Sequence, residues 1–108
     1  MILFKQEHVP MILSGRKTQT RRRWQRPRAK VGSIRQAKTG FAKTDVFAHI
    51  KITGLRQEAL GDISNEDVYR EGYDTREQLE DVFKRIYKGQ APDPSEVVWV
   101  VDFELVGR

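Results

Sequence analysis

The sequence contains no cysteine and only two histidines, His8 and His49, in 108 residues. Without cysteine the chain cannot form a disulfide bond, use a thiolate nucleophile or bind a metal through sulfur. Two isolated histidines do not supply the ligand set of a zinc site, and both are interpreted as structural or solvent-facing. We therefore expect no metal and no other cofactor, and a cytoplasmic location.

Long hydrophobic runs are also missing. No apolar stretch is long enough to cross a bilayer, so we expect no membrane contact. The first seven residues lack the charged start and long apolar stretch of a secretory signal. A chain of 108 residues suits one domain, which we predict to span residues 1–108. Nothing in the sequence indicates a protein partner.

Positive charge is concentrated in the first part of the chain. Residues 1–40 hold 11 Lys and Arg against the single acid Glu7, a net charge of +10. Residues 41–108 hold 9 Lys and Arg against 14 Asp and Glu, a net charge of −5. Charge segregated in this way predicts that one surface of the protein contacts a polyanion.

The hydropathy pattern predicts a small α+β domain. Strands are expected at 2–4, 18–24, 33–38, 46–53 and 97–106, with a bulge or bend at Gly54. Three short helices are expected at 7–14, from Ser64 to Gly72 and from Asp74 to Gly89. Ser64 with Asp67, and Asp74 with Glu77, resemble capping boxes. About five strands and three helices favour a strongly bent sheet or small barrel with helices on its rim.

The segment from Gly15 to Arg22 contains the pattern G-x-K-x-x-T-x-R. On an extended strand Thr20 and Arg22 share one face, and Lys17 lies nearby at the start of the strand. A hydroxyl, a guanidinium and an ammonium therefore converge on one polar patch. The opposite face offers Arg21 and Arg23 to phosphates.

This pattern is similar to the signature of the ASCH domain, a relative of the RNA-binding PUA domain. The resemblance extends over nearly the whole chain and implies a PUA-like β-barrel, mixed or antiparallel, with a cleft between barrel and helices. Its other landmarks are the strand Ile2-Leu3-Phe4, the helix before Gly15, the Val31-Gly32 turn, the helix end Ile86-Tyr87-Lys88-Gly89-Gln90 and the closing strand Val98-Trp99-Val100-Val101-Asp102-Phe103.

Some ASCH proteins are amidohydrolases that remove the acetyl group from acetylated cytidine, and the resemblance carries their catalytic trio onto Lys17, Thr20 and Glu71. Threonine needs an adjacent base to act as a nucleophile, and a desolvated lysine among cations loses its proton more easily. The glutamate can then act as an acid for the leaving amine. We expect Lys17, Thr20, Arg22 and Glu71 to meet in one cleft.

A basic segment follows the motif and departs from the pattern of the nucleoside enzymes. It interleaves arginines with Trp24, a combination that suits single-stranded RNA through phosphate contacts and base stacking. Trp24 can also be a core anchor, whereas Trp99 lies in an apolar strand and is predicted to be core. The candidate ligand-binding residues are Arg16, Lys17, Thr20, Arg21, Arg22, Arg23, Trp24, Arg26, Arg28 and Lys30.

Two functions follow from the sequence. The first is an RNA- or nucleotide-binding module with a basic cleft around the motif. The second is a hydrolase, either an amidohydrolase on acetylated cytidine or a ribonuclease, that uses Lys17, Thr20 and Glu71. A binding module needs the basic segment and tolerates loss of Thr20, whereas an enzyme needs Thr20 and tolerates loss of the basic segment.

Overall fold

The computed structural model describes residues 1–86, 89 and 93–107. Within these residues the predicted α+β class is confirmed, with five strands and three short α-helices. The strands are β1 (Ile2–Leu3), β2 (Gln19–Arg22), β3 (Ile34–Lys38), β4 (Val46–Ala59) and β5 (Val97–Gly107). The helices are α1 (Val9–Leu13), α2 (Asn65–Arg70) and α3 (Arg76–Ile86), and 3-10 turns occupy Gln6–His8, Lys43–Asp45 and Leu60–Asp62.

The five strands form one mixed sheet in the order β1-β3-β4-β5-β2. β1 runs parallel to β3, and the other neighbouring pairs are antiparallel. β4 is longer than predicted because it continues past Gly54, where the register with β5 shifts. The bulge expected at Gly54 is therefore confirmed, and it bends the strand without ending it.

Curvature of the sheet brings its two edge strands together. Arg22 Nη2 on β2 donates to the carbonyl oxygen of Leu3 on β1 over 2.6 Å. The Arg22 guanidinium also lies 5.0 Å from the ring centroid of Phe4, just after β1. A single side chain therefore links the first and last strands of the sheet order, which makes the sheet a half-barrel in agreement with the predicted PUA-like fold.

The main core lies inside this curl. Ala48, Ile50 and Ile52 form the inward row of β4, and each is 0 % exposed. The ring centroids of Phe4 and Phe103 are 5.7 Å apart within the same cluster. A second, smaller cluster joins α2 to α3 through Ile63, Val68 and Leu79, with Tyr73 and Phe83 packed against it.

The two helices after β4 begin at side-chain caps. Ser64 Oγ accepts from the Asp67 amide over 3.1 Å, so the predicted cap of α2 is confirmed. The predicted cap of α3 is wrong, because Thr75 rather than Asp74 caps this helix. Thr75 Oγ1 accepts from the Gln78 amide over 3.2 Å. In return, Gln78 Oε1 accepts from the Thr75 amide over 3.4 Å. This reciprocal pair is a Thr-x-x-Gln capping box, one residue beyond the predicted start.

The chain turns sharply at the ends of the predicted helices. Gly89 has φ of +86°, and its amide donates to the Lys84 carbonyl over 2.7 Å, beyond the end of α3. The helix end predicted from Ile86 to Gln90 is described only at Ile86 and Gly89, since residues 87, 88 and 90 lie outside the described residues.

Gly72 follows α2 in the left-handed conformation, with φ of +107°. A Cβ atom at this position would lie 2.9 Å from Met11 Sδ and 3.7 Å from Lys17 Cβ. The absence of a side chain therefore lets the end of α2 approach the segment that carries Lys17. Glu71, immediately before Gly72, reaches Lys17 because of this close approach.

We predict that Gly72→Ala lowers the free energy of unfolding by about 2 to 4 kcal/mol, because it adds backbone strain and overpacking together. Gly32→Ala is the matched control, since Gly32 has φ of +90° with nothing within 4 Å of the added Cβ. The control should lose only about 1 to 2 kcal/mol. Urea denaturation measures both variants, and equal losses would show that crowding against Met11 plays no part.

Candidate functional site

Lys17 is buried at the start of β2, with only 2 % of its surface exposed. Its Nζ donates to three oxygens: the Gln19 carbonyl at 2.9 Å, the Glu71 carbonyl at 2.8 Å and Glu71 Oε1 at 3.0 Å. An ammonium has three N–H bonds, and each has an acceptor here. The arrangement is that of a fully hydrogen-bonded ammonium held against the end of α2.

Glu71 receives a cation on each carboxylate oxygen. Oε1 accepts from Lys17, and Oε2 accepts from Arg21 Nη1 over 2.8 Å. The residue is 4 % exposed, so the ion pairs are shielded from solvent. Two charge-assisted hydrogen bonds to one buried carboxylate hold it in one orientation.

Arg21 belongs to a network of carboxylates on the outer face of β2. Its Nη2 lies 2.9 Å from Glu58 Oε1 and 3.5 Å from Asp67 Oδ2, and its Nη1 also donates to Gln19 Oε1 over 2.6 Å. Burial alone would lower the pKa of Arg21, but Glu71 and Glu58 outweigh it and raise the pKa above its ordinary value.

The Arg21 side chain is therefore only 3 % exposed, and its contacts are made within the chain. The sequence predicted instead that this face of β2 would be open to phosphates. The reason for the difference is that β4 and α2, which are distant in sequence, bring their acids to this face. Arg56 and Arg70 extend the same network through Asp67.

Thr20 and Arg22 lie on the inner face of β2, as the alternation predicts. Thr20 is 6 % exposed, and its Oγ1 accepts from Arg22 Nε over 3.2 Å. Arg22 lies between this hydroxyl and the Leu3 carbonyl, and no carboxylate among the described residues lies within 4.0 Å of its guanidinium. Burial lowers the pKa of Arg22.

A cavity of about 290 Å³ lies between the edge strands and the helices. Its polar lining includes the four residues singled out by the motif and the family resemblance: Lys17, Thr20, Arg22 and Glu71. Its apolar lining includes Leu60, Val82, Phe83 and Val98. The structure therefore brings the predicted catalytic trio and Arg22 to one concave surface.

His8 and Tyr73 also line the cavity, although neither was predicted from the sequence to belong to the site. His8 Nε2 lies 3.1 Å from Tyr73 Oη, a hydrogen-bonding distance. The interpretation of His8 as an isolated histidine is wrong, because a partner 65 residues away in sequence reaches it. No local pattern could have revealed a pair at that separation.

The pKa shifts in the cavity follow mainly from burial. Desolvation lowers the pKa of Lys17, although the Glu71 carboxylate opposes this shift. Desolvation together with the Lys17 charge lowers the pKa of His8 to about 4. Desolvation with the Glu71 charge raises the pKa of Tyr73 to about 12. At neutral pH the His8–Tyr73 pair is therefore uncharged.

The basic segment divides into engaged and exposed residues. Arg16 pairs with Asp74 over 2.8 Å and stacks 3.5 Å from the Tyr69 ring centroid, and Arg23 pairs with Glu96 over 2.6 Å. Trp24 is half-buried against the main core, which fits the core-anchor alternative. The residues left exposed are Arg26, Arg28 and Lys30, which flank the buried Ala29.

The described part of the chain contains no group of three or more His, Cys, Asp or Glu residues placed to hold a metal ion. Among the same residues, no helix is long and apolar enough to span a membrane. The cavity residues offer ammonium, guanidinium, hydroxyl, phenol and imidazole groups. These groups recognise a polar organic ligand through hydrogen bonds and charge.

The fold is a half-barrel of mixed topology with short helices on its rim and a cavity lined by the G-x-K-x-x-T-x-R segment, which is the architecture that the resemblance to ASCH domains implies. Comparison with solved structures agrees. The chain superposes on the ASCH domain from Lactobacillus crispatus JV V101 with a TM-score of 0.72 and 13 % identity, covering 93 % of this chain and 70 % of that one.

Two other structures give the same result. For a protein from Enterococcus faecalis V583 the TM-score is 0.71 at 20 % identity, over 94 % of this chain and 68 % of that one. For ASCH from Zymomonas mobilis the TM-score is 0.64 at 16 % identity, over 96 % and 67 %. No protein-family model and no curated protein matches the sequence. The chain has the ASCH fold, as the sequence resemblance predicted.

We predict that protonation of His8 lowers the free energy of unfolding as the pH drops from about 6.5 to about 4. The His8 imidazole binds a proton less readily in the folded protein than in the unfolded chain. Its contribution to the free energy of unfolding is therefore fully present above the pKa of His8 in the unfolded chain, and it is lost as the pH falls through the pKa of His8 in the folded protein. Because His8 is partly exposed, we discount the shift and expect a loss of about 1 to 2 kcal/mol.

Urea denaturation from pH 4 to pH 7 tests this prediction in wild type and in His8→Gln, which cannot titrate. The carboxylates titrate in both proteins, so the difference between the two curves isolates His8. Wild type should lose more stability than the variant over this range. Parallel curves would contradict the lowered pKa of His8, and NMR titration of its ring protons gives a second measurement.

Proposed function

We propose that this chain binds RNA or a nucleotide, with one nucleotide in the cavity and further phosphates on the exposed basic segment. The observation that carries this proposal is that the motif residues of the cavity and the exposed basic segment are neighbours in sequence. Thr20 and Arg22 line the cavity, and the chain then leads directly to the exposed Arg26, Arg28 and Lys30. A strand of RNA with one base in the cavity would have cations beside its backbone.

The size and chemistry of the cavity support a ligand of this kind. A volume of about 290 Å³ is at the lower end of small-molecule sites and suits one base with part of its sugar. The apolar lining residues Val82 and Phe83 offer a surface for the flat face of a base. The polar lining residues offer donors and acceptors for the edge of the base.

The hydrogen bonds favour binding over hydrolysis as the first candidate. Lys17 donates all three protons to protein oxygens, so it is arranged as a cation and not as a base. Thr20 Oγ1 accepts from Arg22 and is not hydrogen-bonded to Lys17 or Glu71. A threonine nucleophile needs a base within hydrogen-bond reach, and this arrangement does not provide one.

Hydrolysis remains the second candidate because Lys17, Thr20 and Glu71 line the same cavity. Burial lowers the pKa of Lys17, which eases the loss of its proton. In such an enzyme, neutral Lys17 would take the Thr20 proton as Oγ1 attacks the acetyl carbon of an acetylated cytidine. The proton would pass to the leaving amine, and water would then release acetate from Thr20. A ribonuclease would use the same residues on a phosphodiester.

We predict that RNA binding is electrostatic and that the exposed basic segment provides part of it. The triple variant Arg26→Gln/Arg28→Gln/Lys30→Gln should reduce the slope of log Kd against log salt by up to about 2, because each phosphate contact on a single strand contributes about 0.7. Fluorescence anisotropy with a labelled single-stranded RNA, measured from low to high salt, gives the slope.

The matched control is Lys43→Gln/Lys51→Gln/Lys84→Gln, which removes three exposed positive charges elsewhere on the surface. It changes the net charge by the same amount and should leave the slope close to the wild-type value. If both triple variants reduce the slope equally, RNA is attracted only by net charge and the basic segment is not a binding surface.

We predict that the wild type releases no acetate from acetylated cytidine and no fragments from RNA, because no base among the described residues is hydrogen-bonded to Thr20. Thr20→Val should then weaken ligand binding only by the loss of one hydrogen bond, about 1 kcal/mol. Product from the wild type that disappears in Thr20→Val, while binding and folding persist, would contradict this prediction and establish the hydrolase. Chromatography of the reaction products and calorimetry of binding measure the two properties.

A further inference from the structure

Arg22 differs from the other cations that line the cavity. Lys17 pairs with Glu71, Arg21 pairs with three acids, and Arg23 pairs with Glu96. Arg22 has no carboxylate partner in the described part of the chain, although most of its side chain is enclosed. Lys5 also lines the cavity and forms no ion pair with the described residues, but it is exposed to solvent.

The hydrogen bonds of Arg22 leave one side of its guanidinium available. Nε donates to Thr20 Oγ1 and Nη2 donates to the Leu3 carbonyl, so two of five N–H bonds have acceptors among the described residues. Both acceptors are uncharged oxygens. The Nη1 group makes no hydrogen bond to the described residues, and the side chain lines the cavity.

A guanidinium removed from water without a counter-ion is unfavourable, and an anion that binds it recovers much of that free energy. Guanidinium groups also match phosphate oxygens geometrically, since two parallel N–H bonds can contact two oxygens. The Thr20 hydroxyl, which accepts from Arg22, keeps its own proton available for an anion beside the guanidinium.

The remaining cavity residues do not favour a second charge on the ligand. His8 and Tyr73 form an uncharged pair, and Val82 and Phe83 are apolar. The two carboxylate oxygens of Glu71 already accept from Lys17 and Arg21. The cavity thus combines a guanidinium suited to an anion with uncharged groups suited to a ring.

We propose that the ligand of this cavity is a nucleotide whose phosphate binds Arg22 and Thr20, while its base lies toward His8 and Tyr73. This inference rests on the nucleotide-binding function proposed above and extends it. It makes phosphate recognition a property of the cavity itself, separate from the exposed basic segment. Nucleosides without phosphate would then be weak ligands.

The test is calorimetry with the four ribonucleosides, their 5′- and 3′-monophosphates, ribose 5-phosphate and inorganic phosphate. At least one monophosphate should bind wild type about tenfold or more tightly than its nucleoside, the gain expected for charge-assisted hydrogen bonds. Arg22→Gln should lose this preference. Lys43→Gln/Lys51→Gln/Lys84→Gln should keep it, because those exposed residues do not line the cavity.

Arg22→Gln also removes the contact with Leu3, so a measurement on the unmodified protein accompanies it. The side-chain Nε–Hε signal of Arg22 should shift when a monophosphate is added and should stay unchanged with the nucleoside. A signal that responds equally to both would overturn the proposal. Retention of the phosphate preference in folded Arg22→Gln would also overturn it.

The remaining outcomes separate this inference from the proposed function. Equal affinity for nucleoside and monophosphate overturns phosphate recognition by Arg22 and leaves nucleotide binding standing. Binding of RNA without any mononucleotide binding overturns phosphate recognition by Arg22 and leaves only the RNA-binding function standing. Inorganic phosphate that binds as tightly as any nucleotide overturns the proposal, since the base then contributes nothing. Absence of binding for every nucleoside, nucleotide and RNA overturns both.

Discussion

The buried ion pair between Lys17 and Glu71 is the interaction on which the rest of the site depends. Both residues are almost completely removed from solvent, and each is costly to bury alone. Their contact joins the start of β2 to the end of α2, and the additional bond from Lys17 to the Glu71 carbonyl fixes the backbone as well. Breaking such a pair from one side typically costs about 3 to 5 kcal/mol, so the cavity wall and the fold are stabilised together.

The two adjacent arginines of β2 have different surroundings. Arg21 points to the outer face, where acids from β4 and α2 neutralise it and stabilise the orientation of Glu71. Arg22 points to the inner face, where it bridges the edge strands through neutral oxygens only. Adjacent residues of the same type therefore have different physical roles, one within the protein and one available to a ligand. Alternation along a strand is sufficient to produce this difference.

Much of the fold could be predicted because its signals are local. The apolar alternation of β4 and β5, the Ser64 cap and the bulge at Gly54 depend on neighbouring residues, and each was located correctly. The cap of α3 was misplaced by one residue because Asp74 and Thr75 are both good caps, and only the backbone geometry selects between them. The meeting of Lys17 with Glu71 came from the family resemblance, since no local pattern connects residues 54 positions apart.

The sequence by itself determined the α+β class, the strand faces of Thr20 and Arg22, and the exposed basic segment. Those properties follow from the two-residue period of strands and from hydration of charge. Only the tertiary structure decided which arginines are neutralised, that His8 meets Tyr73, and that Trp24 packs on the core. The physical reason is that a charge or a ring has no assigned partner until distant segments pack against it, and the partner sets its protonation, burial and availability.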